Sequence, residues 1–387
     1  FILAYKRLVA EIDLDAADFN IKSILKRIDG RADVIGTIKA DAYGHGALEI
    51  AKVLMENGVS MFSVAMLDEA VNLRKNGIDK PVLILGVTPP DYAEEAVKYG
   101  LIQTVPDYAT AESISKAAVR LGKKAAVHIK IDTGMGRIGF KPDTEAVDEI
   151  ERISKLDGID IEGIFTHFCT SDEKDKSFTV LQRERFVKTV AALEERGIHI
   201  PLKHTAASAG IMDFDDLFFN AVRPGIILYG CYPSAEVMKD RLPLKPVMSL
   251  KTYAMFIKEI EEGDTVGYGR TYKAEEKRKI ATIPAGYADG YNRLLSNRGR
   301  VLINGRSAPI RGRICMDQCM ADITGIEAAQ WDEVVLLGRQ GNEEITADEI
   351  AEKIGTISYE VLCMVAKRVP RVYVKNGRAI KEVNFLV

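Results

Sequence analysis

The chain has 387 residues, which exceeds an ordinary domain of about 100 to 200 residues and suits a large barrel with a smaller companion. Its 47% hydrophobic and 28% charged residues can build a sizeable core, so neither a disordered nor a fibrous protein is expected. The net charge is -3, without a basic block that would neutralise a phosphate backbone or an anionic membrane surface. We therefore expect neither nucleic acid nor membrane partners.

The apolar runs, the N-terminal residues and the cysteine content indicate the cellular compartment. No apolar run approaches the ~20 residues that span a bilayer, and charges follow Phe1–Ala4 too soon for a secretory signal. The five cysteines are odd in number and too sparse for a disulfide framework, which favours a reducing cytoplasm. Cys315 and Cys319 lie four residues apart, but no second Cys or His pair at zinc spacing accompanies them, so no metal site is predicted.

From about residue 32 to 230, runs rich in Val and Ile alternate with segments of helical period, which is typical of repeated βα units. Eight strands are predicted, at Ala32–Lys39, Ser60–Ala65, Pro81–Leu85, Leu101–Val105, Ala125–Ile131, Ile159–His167, Leu202–Thr205 and Phe219–Val222. The clearest helices are Leu67–Lys75, Tyr108–Leu121, Thr144–Lys155 and Phe178–Arg196. Eight units in roughly 200 to 250 residues predict a (β/α)8 barrel of the TIM type rather than an open sheet.

Beyond residue 240 the pattern becomes alternating and mostly β. Strands are predicted within Ser249–Ile260, Lys279–Ile283 and Glu333–Leu337, and one helix over Ala347–Ile354 with Thr346 as its N-cap. We therefore expect an N-terminal segment, 1–11, that pairs with the β domain, a barrel over 12–240, and a C-terminal β domain over 241–387.

Reactive residues of such barrels come from the C-terminal ends of the strands. The polar residues predicted there are Lys39, Asp132–Arg137, His167, His204–Ser208 and Arg223. An isolated lysine at a strand end is more often solvated, with its stem packed on the barrel. Lys39, however, precedes a loop that contains Tyr43 and two glycines. A lysine partly desolvated in such a mouth can form a Schiff base with a carbonyl cofactor.

The loops after the seventh and eighth strands are where barrels usually bind a phosphate. Ser208 and the backbone amides of Pro224–Ile226 offer a hydroxyl and close-approaching donors at this place. A reactive lysine with a phosphate site suggests pyridoxal 5'-phosphate as the cofactor.

Motifs spread in order along nearly the whole chain carry a family resemblance. They are Ala10–Asp15, Ile38–Gly46, Lys130–Gly139, Phe165–Phe168, Arg223–Gly230, Val266–Gly269, Gly286–Gly290 and Cys315–Gln318. Each is weak alone, but the set is specific. With it the chain resembles the alanine racemases, pyridoxal phosphate enzymes of fold type III.

The resemblance implies a cofactor site. Lys39 would hold pyridoxal 5'-phosphate, and the positions that match phosphate-binding residues are Tyr43, Ser208, Gly225, Ile226 and Tyr359. Arg223 would face the pyridine nitrogen. A guanidinium with a pKa above about 12 does not give up a proton, so this nitrogen would stay unprotonated and reprotonation at Cα would be favoured over transamination.

Racemisation takes a proton from one face of Cα and returns it to the other, which needs two acid/base groups. The resemblance assigns these roles to Lys39 and to Tyr268 of the partner subunit, in a homodimer whose sites are shared between the chains. It places His167 beside this phenol and His204 behind Arg223, in one hydrogen-bonded network.

The resemblance also implies how a small amino acid is held. Arg137 and the backbone at Met316 match positions that bind the substrate carboxylate, and Lys130 matches a lysine that some members carbamylate. Gate positions match Tyr287, Tyr359 and Cys169, the last standing where the family commonly has Ala, while Ala207 replaces a common Asn. The implied reaction interconverts L- and D-alanine and supplies D-alanine for peptidoglycan, with serine as an alternative substrate.

Other interpretations are less favoured. Gly134–Gly139 fits a dinucleotide fingerprint, but Phe140–Asp143 separates it from the next helix, which argues against an NAD-dependent dehydrogenase. A pyridoxal phosphate decarboxylase of the same architecture would carry a Gly-Gly-Gly phosphate loop, which the sequence lacks. A non-catalytic pyridoxal phosphate carrier resembles the barrel alone. The remaining histidines are interpreted as structural: His45, His128 and His199.

Overall fold

A computed structural model describes residues 7–386. The chain divides into two compact units. We call residues 18–42 and 47–244 the barrel unit, and the described residues within 1–17, 43–46 and 245–387 the β unit. None of the described helices is both long and apolar enough to cross a membrane.

Eight parallel strands close into the barrel, and each differs from its predicted span by two residues or fewer at either end. After β1 (Val9–Asp13), which belongs to the β unit, the barrel strands in order are β2 (Asp33–Thr37), β3 (Met61–Val64), β4 (Val82–Ile84), β5 (Ile102–Val105), β6 (Ala125–Lys130), β7 (Ile159–Phe165), β8 (Leu202–Ala207) and β9 (Ala221–Arg223). β2 pairs with β9 through Asp33 with Ala221 and Val34 with Val222, which closes the sheet. The predicted barrel fold is confirmed.

Helices follow the strands. They span Leu14–Ile28, Ala47–Glu56, Leu67–Lys75, Ala93–Lys98, Tyr108–Arg120, Thr144–Ile153, Ser177–Glu195 and Ser208–Asp213. Two of them begin at aspartate N-caps, because Asp107 accepts from the amide of Thr110 at 2.7 Å and Asp143 accepts from that of Ala146 at 3.0 Å. Such caps fix where a helix starts.

Strand β6 shows how the barrel separates apolar from polar side chains. Val127 and Ile129 belong to the apolar core that includes buried residues of the helices Tyr108–Arg120 and Thr144–Ile153. Since side chains alternate along a strand, His128 and Lys130 point to the opposite face, the barrel interior. Both are buried. The alternation of side chains along β6 therefore places two ionisable groups inside the barrel.

The β unit contains an eight-stranded sheet, a three-stranded sheet and a two-stranded ribbon. Its further strands are β10 (Met248–Tyr253), β11 (Phe256–Ile260), β12 (Thr265–Val266), β13 (Tyr272–Lys273), β14 (Arg278–Ile283), β15 (Arg300–Ile303), β16 (Arg306–Pro309), β17 (Cys319–Asp322), β18 (Glu333–Gln340), β19 (Glu343–Ile345), β20 (Arg371–Lys375) and β21 (Arg378–Val383). The predicted β-rich C-terminal domain is confirmed.

The large sheet has the order β16-β15-β18-β10-β1-β20-β21, with β19 paired to β18. β1 runs antiparallel to β10 and parallel to β20, so the N-terminal strand lies inside this sheet. Residues 1–6 of the predicted N-terminal segment lie outside the described residues. Two helices complete the unit, Ala347–Ile354 and Ser358–Cys363. The predicted N-cap is present, as Thr346 Oγ1 accepts from the amide of Glu349 at 3.1 Å.

The segment after β2 differs from the prediction. Lys39 does not close the strand, which ends at Thr37, but begins a left-handed turn through Tyr43. Each of the four residues from Ala40 to Tyr43 has φ between 52 and 54°. A left-handed conformation costs a non-glycine residue roughly 1–2 kcal/mol, so neighbouring contacts must compensate. The amide of Ala40 donates to Glu69 at 2.6 Å and Asp41 accepts from the amide of Ala47 at 2.8 Å.

Other strand ends also shifted. β7 ends at Phe165, so His167 lies two residues beyond the strand rather than at its end. His204 lies within β8, and Arg223 is the last residue of β9. Apolar runs show that a strand exists, but its end is set by backbone pairing with the neighbouring strands.

Gly163 of β7 leaves room for the ring of His128. A Cβ atom at this position would lie 2.6 Å from three atoms of the imidazole. We predict that Gly163→Ala lowers the free energy of unfolding by roughly 1–3 kcal/mol, because the ring or the strand must shift. Urea denaturation measures the effect.

The matched control is Asp160→Ala on the exposed part of the same strand, which adds no atom near the imidazole. Equal stability of the wild-type protein and the Gly163→Ala variant would contradict this packing.

Candidate active site

Arg223 is a buried cation at the mouth of the barrel. Its Nη1 donates to the backbone oxygen of His204 at 2.8 Å, and its Nη2 donates to the backbone oxygens of Thr166 at 2.7 Å and Thr205 at 2.9 Å. Nη1 also meets His204 Nδ1 at 2.6 Å. Burial lowers the pKa of Arg223 to about 9, with the charge of Arg137 adding to this effect. The guanidinium therefore remains charged near neutral pH.

His167 lies among the predicted cations of the barrel unit. Burial lowers its pKa well below the ordinary value, and the charges of Arg223, Arg137, Lys130 and Lys39 lower it further, in that order. These four side chains therefore act on one imidazole. His167 Nδ1 lies 3.4 Å from Arg223 Nη2 and can only accept there, because a guanidinium carries donors alone. The structure thus brings together five residues that the sequence singled out.

Lys130 is buried on the inner face of β6. Its Nζ donates to the backbone oxygen of Ile131 at 2.7 Å and lies 5.5 Å from the ring centroid of Phe165. Burial, reinforced by Arg223, lowers the pKa of Lys130 to about 7, against a smaller opposing effect of Asp132. A large fraction of this amine is therefore neutral at physiological pH and can act as a nucleophile.

The loop after β6 is ordered by Asp132. Its Oδ1 accepts from the amides of Gly134 and Gly136 at 3.0 Å each, and its Oδ2 accepts from the amide of Arg137 at 3.1 Å. This fixes the backbone that carries the exposed Arg137 side chain. The following helix begins only at Thr144, so the glycines of this loop do not open a helix as a dinucleotide fingerprint requires.

The predicted phosphate site is a contact between two loops. The amide of Gly225 donates to Ser208 Oγ at 3.0 Å, which joins the segments after β8 and β9. Ser208 begins the helix Ser208–Asp213, and Ile226 begins a short 3-10 helix that ends at Tyr229. Two helical N-termini with a buried hydroxyl between them suit an anionic group.

The donor set of the barrel unit fits pyridoxal phosphate. Arg223 Nε makes no hydrogen bond within residues 7–386, so one donor of this cation remains for an acceptor such as a pyridine nitrogen. Lys39 supplies an amine that an aldehyde can bind, and it is only partly buried. With the Ser208 hydroxyl, these residues provide a partner for each end of the cofactor.

In the β unit, two predicted site residues lie against each other. The rings of Tyr43 and Tyr359 have centroids 6.1 Å apart. Burial, together with the neighbouring Cys363, raises the pKa of the Tyr43 phenol, so it stays protonated and can donate a hydrogen bond. The turn that follows Lys39 therefore presents a neutral phenol beside a second one.

Two other predicted residues of the β unit are held by one backbone pairing. The amide of Tyr287 donates to the oxygen of Cys315 at 3.1 Å, and that of Ala288 donates to the oxygen of Met316 at 3.0 Å. The side chains of Tyr287 and Met316 are exposed. Gly286 is required here, since a Cβ would lie 2.3 Å from the Cys315 oxygen.

This pairing rests on a buried carboxylate that the sequence did not reveal. Asp289 Oδ2 accepts from the amide of Gly286 at 2.9 Å, and its Oδ1 forms ion pairs with Arg7 and, at 3.0 Å, with Arg368. Arg368 also pairs with Asp317 at 2.7 Å. The segments that carry Tyr287 and Met316 are thus joined by charge-assisted bonds.

Tyr268 is presented on a turn of the β unit. Its side chain is 71% exposed. The residues on either side are glycines with φ near 70°, a left-handed conformation that favours glycine. A Cβ at Gly267 would lie 2.9 Å from Met320, and one at Gly269 would lie 2.8 Å from the Arg313 guanidinium. The glycines therefore keep this turn and the direction of its phenol.

Gln182 was missed by the sequence analysis. From the helix Ser177–Glu195 its Oε1 accepts from the amide of Cys169 at 3.0 Å and lies 3.4 Å from the Cys169 thiol. Its Nε2 donates to Thr133 Oγ1 at 3.1 Å and to the His167 oxygen at 3.2 Å. A buried amide with all these partners joins the loops after β6 and β7, and nothing in its helical sequence context signals this role.

His128 was interpreted as structural, but it contacts the site. Its Nδ1 lies 2.9 Å from Nε2 of His204. A signal was available, because His128 and Lys130 are two residues apart on one strand and must share a face.

Comparison with known proteins identifies the family. Residues 12–233 match the model of the alanine racemase N-terminal domain, and residues 247–373 match that of the alanine racemase C-terminal domain. The alanine racemase of Clostridium perfringens is 51% identical over 378 residues, which cover 97% of this chain and 98% of that protein.

Solved structures agree. An alanine racemase of Clostridium difficile 630 superposes with a TM-score of 0.96 at 45% identity, over 100% of both chains. A histidine racemase of Leuconostoc mesenteroides is more distant, with a TM-score of 0.89 at 29% identity, over 96% of this chain and 99% of that one.

The barrel, the β unit and the match to both family domains define an amino-acid isomerase of fold type III. The chain belongs to the alanine racemase family.

We predict that Gln182→Met destabilises the protein by roughly 2–5 kcal/mol. The partly buried amide of Cys169, the hydroxyl of Thr133 and the oxygen of His167 would each lose a partner, and an unsatisfied buried group costs about 1–3 kcal/mol. The midpoint of denaturant unfolding measures this loss.

Leu181→Met on the same helix is the control, because Leu181 is exposed. Similar stabilities of the two variants would show that Gln182 does not hold these loops.

Proposed function

We propose that this protein interconverts L- and D-alanine with bound pyridoxal 5'-phosphate. The observation that carries the proposal is the buried, charged Arg223 with a free Nε, set among Lys39, Lys130, Arg137 and His167 in a chain of this family. Bound pyridoxal phosphate supplies an electron sink that makes the Cα proton of an amino acid removable. Side chains of the protein would carry out the proton transfers and bind the substrate.

Two groups would exchange the proton at Cα. Lys39 takes or returns it on one face, and Tyr268 of the partner subunit does so on the other. The proposal of a homodimer with shared sites is supported by the high exposure of Tyr268 on its own chain, which leaves its phenol accessible to a partner.

Arg223 would select racemisation over other outcomes. As a donor that keeps its proton, it would leave a facing ring nitrogen unprotonated and so would weaken the electron sink of the bound cofactor. Its own position is fixed by three backbone oxygens. With the cofactor bound, Arg223 would therefore favour return of the proton to Cα over transamination.

We propose that the substrate carboxylate is bound by Arg137 and the backbone at Met316, and that Tyr287, Tyr359 and Cys169 limit substrate size. The Cys169 thiol lies 3.4 Å from Gln182 Oε1 and can donate to it, which turns the sulfur toward the helix. A relative named for histidine shows that the fold alone does not fix the substrate, so relative rates with alanine and serine test this part of the proposal.

The cellular role follows from the product. D-alanine is a building block of peptidoglycan, and we propose that this enzyme supplies it in the cytoplasm. The free thiols of all five cysteines support a reducing compartment.

Mixing two inactive variants tests the shared site. Lys39→Ala and Tyr268→Phe should each abolish most racemase activity, because each removes one proton carrier. In a heterodimer one of the two sites regains both native residues, so a random mixture should recover about a quarter of the wild-type activity per subunit. Activity is measured by chiral analysis of alanine after subunit exchange.

Tyr272→Phe is the control, since it removes a phenol from the same unit and should stay active. Absence of recovery, with heterodimers demonstrated by mass spectrometry, would refute sites shared between subunits.

Lys130 is proposed to be carbamylated. Carbon dioxide reacts with the neutral amine, and the pKa of Lys130 near 7 makes about half of it neutral at pH 7. We expect a carbamate carbonyl resonance in 13C NMR with labelled bicarbonate. The amine gains its proton as the pH falls below the pKa, so the signal should weaken from pH 8 to about pH 6.

Lys130→Met should lack the resonance, and Lys123→Met, an exposed lysine of the barrel unit, should keep it. A wild-type spectrum without this resonance at pH 8 would contradict the modification.

A further inference from the structure

Two buried imidazoles form a chain behind Arg223. His204 Nδ1 lies 2.6 Å from Arg223 Nη1, and its Nε2 lies 2.9 Å from His128 Nδ1. Both rings are fully buried in the barrel interior. Burial, with the charge of Arg223, lowers the pKa of both histidines, so each ring is neutral and carries a single proton.

The positions of these protons follow from the arginine. A guanidinium has only N–H donors, so His204 Nδ1 must be the acceptor of the contact with Arg223. The single proton of His204 therefore lies on Nε2, where it points to His128 Nδ1. His128 in turn must accept at Nδ1 and carry its own proton on Nε2.

His128 makes only one of its two possible hydrogen bonds. Its Nε2 has no hydrogen-bond partner among the residues that the structure describes. Leaving a buried donor without an acceptor is destabilising. The hydrogen bonding of His128 itself therefore does not explain why a histidine stands at this position. Gly163 gives the ring its space, and Phe165 stacks on His204 with ring centroids 4.8 Å apart and planes within 6°.

We propose that His128 is a positioning residue that holds His204 in the Nε2-protonated form, and so keeps an acceptor facing Arg223. Without an acceptor at His128, the Nδ1-protonated form of His204 becomes competitive. In that form the N–H at His204 Nδ1 faces an N–H of Arg223. The two donors repel each other, which displaces the guanidinium. The consequence for catalysis rests on the proposed function of Arg223, whereas the proton positions do not.

The chain offers a matched pair of variants. The side-chain oxygen of Asn stands where Nδ1 of His stands, so His128→Asn keeps an acceptor for His204. His128→Leu has nearly the same shape as Asn and lacks the acceptor. Both variants remove the same part of the ring, so the cavity they create does not distinguish them.

The protonated nitrogen of each ring can be read directly by long-range 1H–15N NMR of holoprotein labelled in its five histidines, with the resonances assigned by single substitutions. We expect His204 with its proton on Nε2 in the wild-type protein and in His128→Asn. In His128→Leu we expect the Nδ1-protonated form to gain at least about tenfold in population.

Kinetics supply a second measurement. We expect kcat of His128→Leu to fall about tenfold below that of His128→Asn, with KM changed by less than about twofold. A purely structural role would lower the stability of both variants alike and leave their kcat values equal.

Three results would overturn the proposal: a wild-type His204 protonated on Nδ1, a wild-type His204 protonated on both nitrogens, or the same His204 form in the Asn and Leu variants. The first two need no variant to fold. Because the tautomers are observed without turnover, a protein that does not racemise alanine would refute the proposed function and leave this inference to be decided by the spectra.

Discussion

The buried charge of Arg223 at the mouth of the barrel determines how the other groups of the site are arranged. A buried ion is costly unless it is paired or fully hydrogen-bonded. Within residues 7–386 no carboxylate lies within ion-pair distance of Arg223, and its Nη atoms are satisfied by three backbone oxygens and two imidazoles. The fold holds this cation with oriented neutral dipoles rather than with a counterion.

The other ionisable groups of the site follow from that charge. Its field lowers the pKa values of Lys130, His167, His204 and His128, in addition to the effect of their burial. Burial, reinforced by this one cation without a counterion, thus keeps three imidazoles neutral and an amine partly neutral. A neutral imidazole offers one donor and one acceptor, which is what the chain from Arg223 to His128 requires.

The sequence predicted much of this arrangement because period and spacing reflect backbone geometry. Apolar runs and helical repeats located all eight barrel strands, and the resemblance brought Lys39, His167 and Arg223 into one site before their geometry was known. The sequence did not predict the left-handed turn after Lys39. Ala40–Tyr43 contains no glycine, and its conformation depends on tertiary contacts. Gln182, Asp289 and His128 were missed because their roles depend on partners distant in sequence.

Proton exchange at Cα is the direct test of alanine racemisation by this protein. The purified protein with pyridoxal phosphate and L-alanine in deuterated water is followed by proton NMR, and the recovered alanine is analysed for chirality. Racemisation by two acid/base groups predicts deuterium at Cα together with approach to a racemic mixture. Recovery of undeuterated L-alanine from protein that has bound the cofactor, or release of carbon dioxide with formation of an amine, would contradict it.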